Sequence, residues 1–160
     1  MRYLIYFLLI LTALILQITI FAFNPIWGIT PDLLLIVVIS LALLNGYRRG
    51  AYIGFIAGLL QELFSSGLFG VNIITKLTFG YICGFFKGKV YSGNVLLPGF
   101  LVGITTFLNQ SLIIFLNKNI VLESRFLMQF KKAVGPLIGY HVLLSLFIYP
   151  AIYYINQKYQ

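Results

Sequence analysis

The chain has 160 residues, of which 61% are apolar and 9% charged, and it carries a net charge of +8. A soluble domain needs roughly 25% charged residues to cover its surface, so the composition excludes an ordinary water-soluble fold and points to lipid as the solvent. The length suits one domain, and the bases stand in short clusters between apolar runs, which fits an anionic membrane face and argues against nucleic acid as a partner.

Tyr3 to Tyr47 holds no Lys or Arg and a single acid, Asp32. One crossing takes about 20 residues, so this stretch is long enough for two crossings and a turn. Met1-Arg2 is a thin basic start, and no small-x-small cleavage signal follows the first apolar run. That run is therefore expected to be a retained span. Breakers divide the chain into six expected spans, at about 3–23, 32–47, 51–64, 72–86, 95–116 and 135–155. The expected fold is an all-α integral membrane protein, a six-helix transmembrane bundle in a single domain.

Asn24-Pro25 closes the first span, because proline disfavours helical geometry at the residue before it. Thr30-Pro31-Asp32 opens the second: Thr30 can cap, Pro31 suits the first helical position, and Asp32 faces the positive end of the helix dipole. Asn45-Gly46 ends it. The third and fourth spans are short for a bilayer, and the turn between them, 65–70, is glycine-rich. Between the fifth and sixth spans, Leu122, Phe126, Phe130 and Val134 recur every four residues within 118–134. Two readings stand for this stretch, a short interfacial helix or an ordinary loop. With the N-terminus inside, Arg2, Arg48, Arg49, Lys87, Lys89 and Lys158 fall on the inner side, whereas Lys118, Arg125, Lys131 and Lys132 fall on the outer. Lys76 lies a few residues inside the fourth span, from where it can snorkel outward.

Seven glycine pairs are spaced four apart: 46–50, 50–54, 54–58, 80–84, 84–88, 99–103 and 135–139. Random placement would give about one or two, so the excess indicates close helix contact of the small-xxx-small kind. The first reading is packing inside the protein's own bundle. The second is that Gly54, Gly58, Gly80 and Gly84, and Gly80 with Gly84 above all, form a face that receives a partner helix.

Polar chemistry is sparse. One His, His141, and one Cys, Cys83, offer no zinc site, and the three acids are far apart in sequence. There is no phosphate-binding Gly-rich loop and no GxSxG. An enzyme is not expected, nor any cofactor or metal. Glu62 at the end of the third span either pairs with Lys76 beyond Asn72, making a polar cluster of Glu62, Asn72 and Lys76, or sits at headgroup level where charge costs little. Asp32 is explained by the helix start. Arg48, Arg49, Lys87 and Lys89 form a basic turn region, read first as an orientation anchor and second as a docking patch. His141, one turn from Ser145, reads as a hydrogen-bonded packing residue rather than a proton relay.

Pro31-Asp32-Leu33-Leu34-Leu35, then Gly46, Gly50 and Gly54-Phe55, then Gly58-Leu59-Leu60-Gln61-Glu62-Leu63, Gly67, Gly70-Val71-Asn72, Gly80-Tyr81 and Gly84 follow one another in this order. The series resembles the rod shape-determining protein MreD family over roughly residues 25 to 90, with hydropathy alone carrying the rest. Glu62 departs from it, since Asp is commoner there. The resemblance implies a non-catalytic component of the bacterial inner membrane, supporting cell shape and side-wall peptidoglycan synthesis. It also implies binding to MreC and association with MreB, RodA and a penicillin-binding transpeptidase. The family is similar in fold to the substrate-binding subunits of energy-coupling-factor vitamin transporters, which supplies a rival expectation, a small-molecule-binding subunit. Such a binder needs an outer pocket of converging polar groups, and only Asn72, Lys76 and Asn109-Gln110 offer themselves.

Overall fold

The computed structural model describes residues 2–23, 25, 30–65, 69–89, 96–116 and 126–158. These form six helices: α1 (Arg2–Leu16, continued by a wider π turn over Gln17–Phe21), α2 (Leu33–Asn45), α3 (Tyr47–Phe64), α4 (Val71–Gly84), α5 (Leu96–Leu116) and α6 (Phe126–Lys158). The described residues are therefore all-α. Three of the helices, Tyr3–Phe21, Leu96–Ile113 and Val134–Lys158, are long and apolar enough to cross a membrane unaided. The six expected spans are thus six helices of two kinds, because α2 and α4, at 13 and 14 residues, measure only about 20 Å.

The short α2 is the centre of the fold. It packs against all five other helices, and every residue in it except Leu44 is buried. A helix apolar on all sides has no solvent face to keep, which is why a run of Leu, Ile and Val serves here. Large apolar side chains instead cover the outside: Phe23 and Phe69 are each 82% exposed, and Leu4, Leu63, Phe100 and Phe147 are also open. Such a surface is stable only against lipid.

Gly46 reverses the chain between α2 and α3 in one residue. Its φ of +92° is a left-handed conformation open to glycine, and its N–H donates to the Ala42 carbonyl at 2.8 Å. Helix α3 therefore starts at Tyr47 rather than near 51, and Arg48 and Arg49 lie in its first turn, not in a loop. The last helix is also longer than the expected 135–155. It runs unbroken for 33 residues through Pro136 and Pro150, about 50 Å, so it tilts or projects beyond a hydrocarbon core of about 30 Å. Residues 126–134, expected as a loop or a separate interfacial helix, are its first turns. The remainder of that stretch, 118–125, lies outside the described residues.

Helices α3 and α4 pack antiparallel, glycine against backbone. A Cβ at Gly50 would overlap the Gly80 carbonyl, one at Gly54 the Lys76 carbonyl, and one at Gly58 would lie 2.5 Å from the Asn72 carbonyl oxygen. In return, a Cβ at Gly80 would overlap Gly50, and one at Gly84 the backbone of Tyr47. These five glycines thus belong to one internal seam, and the Gly80–Gly84 face is filled by α3. Close approach of this kind replaces the hydrophobic drive that lipid does not supply. At Gly135 and Gly139 an added Cβ meets nothing within 4 Å.

Gly54→Ala and Gly80→Ala are each expected to cost more than about 2 kcal/mol, because backbone cannot yield without parting the helices. Gly139→Ala is expected to be neutral or to stabilise by about 0.5–1 kcal/mol through helix propensity. Thermal unfolding of the purified variants compares them directly.

Candidate functional site

The start of α2 lies about 20 Å from its Gly46 end, and its first four backbone N–H groups lack helical partners. Side chains supply the acceptors. Asp32 is the cap itself, its Oδ1 accepting from the Leu35 N–H at 3.0 Å. Helix α1 contributes Gln17 Oε1, which accepts from the Leu34 N–H at 3.3 Å. Helix α6 contributes His141, whose Nε2 accepts from the Asp32 N–H at 2.8 Å. Gln17 opens the π turn of α1, a distortion that often marks a position with a special task. The expectation that Thr30 caps and Pro31 opens the helix shifts by two residues, with Asp32 in the capping place.

The cap brings a negative charge into the bundle, and Lys76 answers it. Lys76 Nζ lies 2.7 Å from Asp32 Oδ2, and the lysine side chain is 0% exposed. Snorkelling is thereby ruled out for this lysine: its ammonium finds a carboxylate inside at no cost of reaching the surface. His141 Nδ1 lies 2.8 Å from Thr106 Oγ1 on α5. Because Nε2 accepts a backbone N–H, the neutral ring carries its proton on Nδ1 and donates to the threonine. Asp32, Lys76, His141 and Thr106 thus form one chain of contacts joining α2, α4, α6 and α5. His141 and Thr106 are each 1% exposed. His141 is the hydrogen-bonded packing residue expected from the sequence, although Ser145 is not its partner: the Ser145 hydroxyl donates to the Val142 carbonyl.

Glu62 has a different task from pairing with Lys76. Its Oε2 accepts from the Asn72 backbone N–H at 3.0 Å, in the first turn of α4, just after Gly70 at φ +94°. A carboxylate there satisfies an orphan donor and faces the positive end of the helix dipole. The proposed cluster of Glu62, Asn72 and Lys76 therefore divides. Glu62 and Asn72 meet at the α4 start, and Lys76, one turn further, faces α2.

The opposite end of the bundle is basic. The Tyr6 hydroxyl sits between the side-chain amides of Asn45, at 2.8 Å, and Asn156, so the start of α1, the end of α2 and the end of α6 share that end. Lys87 Nζ donates to the Asn45 carbonyl at 3.4 Å. The ring of Tyr47 stacks on Phe85, Arg48 lies over Tyr47, and Lys89 lies over Phe86. Arg48, Arg49, Lys87 and Lys89 thus stand at one end of the bundle. Among the described residues, no group of three or more His, Cys, Asp or Glu is arranged to hold a metal.

Lys76→Met alone leaves the largely buried Asp32 carboxylate without its cation, a defect of at most about 3–5 kcal/mol. Asp32→Asn keeps the cap but strands the ammonium. The double variant removes both charges and is expected to recover at least about 1 kcal/mol relative to the sum of the singles. A double-mutant cycle on the folded fraction measures this, and additive losses would show the two charges to be independent.

No curated protein and no solved structure matches the chain significantly. The family model of the rod shape-determining protein MreD matches residues 1–159, a span that takes in the capped start of α2, the glycine seam and the basic end alike. The chain is a multi-pass membrane protein, and it belongs to the MreD family.

Proposed function

We propose that the protein is a scaffold of the bacterial elongation machinery, resident in the inner membrane, which binds MreC and helps to hold MreB, RodA and a penicillin-binding transpeptidase in geometry for side-wall peptidoglycan synthesis. The observation that carries the reading is the family match along residues 1–159. The interior supports it. Its buried charges and its histidine close on one another, leaving them no open position toward a substrate. A scaffold needs such a rigid body and a surface that partners read.

The same closure weighs against the vitamin-binding alternative. Lys76, one of the few polar groups such a pocket would draw on, is wholly buried against Asp32, and the Asn72 backbone N–H is taken up by the Glu62 carboxylate. A bundle akin to the substrate-binding subunits of energy-coupling-factor transporters remains part of the proposal as an architecture, without their ligand.

Affinity capture of the tagged full-length protein from its own membranes is expected to recover MreC in near-equal amount, and depletion of the protein is expected to round the cells. Folded protein that recovers no MreC, from cells that keep their rod shape without it, would overturn the reading.

A further inference from the structure

Two hollows at the basic end share the same pair of arginines. One is a furrow of about 270 Å³ between α1 and α3, walled by Tyr6, Phe7, Ile10, Ile53 and Ile56, with Arg48 and Arg49 at its mouth. The other is a polar hollow of about 520 Å³ at the α2–α3 turn, where Arg48 and Arg49 face Asn45, Gly84 and Lys87. Both arginines and Lys87 are exposed. The two acids among the described residues, Asp32 and Glu62, lie at the far ends of α2 and α3, so no carboxylate of the described chain neutralises this group. Gathering three cations around one hollow costs repulsion that an anion would relieve. The N-terminal N–H groups of α3 add positive potential on the same side.

We propose that this end of the bundle is a binding site for one anionic diacyl phospholipid, its phosphate held by Arg48, Arg49 and Lys87 and an acyl chain laid in the furrow between α1 and α3. The two hollows differ in chemistry and meet at the arginines, so the occupant is an amphiphile with a negative head. Arginine presents a planar fork that matches a phosphate with two parallel hydrogen bonds. Phe7, Ile10, Ile53 and Ile56 lie further along the helices, toward the interior of the bilayer, where an acyl chain reaches and a soluble anion or an acidic peptide does not. The bound lipid would seal the open seam between α1 and α3, the only contact of α1 with the glycine hairpin among the stronger helix pairings.

The test uses the purified full-length chain in a neutral detergent, read by thermal unfolding against added dioleoyl-phosphatidylglycerol or dioleoyl-phosphatidylcholine. Phosphatidylglycerol is expected to raise the melting temperature at concentrations where phosphatidylcholine does not. Arg48→Gln with Arg49→Gln should weaken the phosphatidylglycerol effect roughly twenty-five-fold, taking about a factor of five for each arginine. Both positions are exposed, so the variant folds, and its unliganded melting temperature checks this. Ile56→Trp, which fills the furrow and leaves the bases in place, should abolish the same stabilisation. Lys89→Gln, outside both hollows, should leave it unchanged. Equal response to the two lipids would overturn the proposal, as would unchanged selectivity in the double arginine variant. Stabilisation by glycerol 3-phosphate alone would make the site one for a soluble anion. Stabilisation by an acidic peptide that survives Ile56→Trp would make it a protein-docking patch. Either result would overturn the assignment to lipid.

Discussion

A helix that begins inside a bilayer has nowhere to send its first N–H groups except to other parts of the protein. Helix α2 is buried in the bundle on nearly every side, and its start is where the other elements converge. Gln17 arrives from α1, His141 from α6, and Asp32 from α2 itself. The carboxylate that completes the cap then requires a cation, and Lys76 comes from α4. Thr106 on α5 fixes the imidazole so that its acceptor nitrogen points at α2. One unsatisfied helix end thus ties four other helices to the centre, with each polar group present because the previous one needed a partner.

That arrangement depends on how near α4 can come. Lys76 reaches Asp32 from a helix that is seated on Gly50, Gly54 and Gly58 of α3, backbone to backbone. A side chain at Gly54 would push directly on the carbonyl of Lys76 and move the ammonium away from its carboxylate. The glycine seam and the buried ion pair are therefore two aspects of one constraint. The seam sets the distance, and the pair fixes the rotation of α4, since only one face of a helix can present Lys76 to α2. A buried ion pair is weak evidence for stability by itself, but a pair that closes in only one register discriminates between packings that apolar contact would treat alike.

Much of this was legible in the amino-acid order. Composition and the uncharged stretch from Tyr3 to Tyr47 require lipid, because no soluble fold has that surface. The Pro31-Asp32 pair marks a helix start because its chemistry is local: cap, proline and dipole act within four residues. The glycines advertise close packing because their spacing repeats, although spacing alone does not say which helix lies across the seam. The Asp32–Lys76 contact was hidden because its members stand 44 residues apart and no local pattern couples them. The available signal was physical: a lone acid and a lone base inside neighbouring apolar runs each need a partner in a dry interior. Glu62 was nearer in sequence to Lys76 and attracted the pairing, but it already had an obligation to the open end of α4. The length of α6 was hidden for the opposite reason. Lys131 and Lys132 read as part of a loop, yet a helix can run on through residues that lie beyond the hydrocarbon.

The two ends of α2 solve opposite problems, and the difference bears on function. At its start the charges match one to one, with the Lys76 ammonium wholly buried against the Asp32 carboxylate. At its end Tyr6, Asn45 and Asn156 tie three helices together with neutral groups, and the charges beside them are all of one sign and exposed. Neutral side chains can hold that end without cancelling the field of the arginines and lysines above them. Electrostatic attraction acts over about 8–10 Å at physiological ionic strength, so an unmatched basic surface of this kind senses what passes along the membrane face, while the matched interior keeps its shape whatever binds. A scaffold can act in this way, by holding one exposed, charged surface at a fixed place and angle on the bilayer.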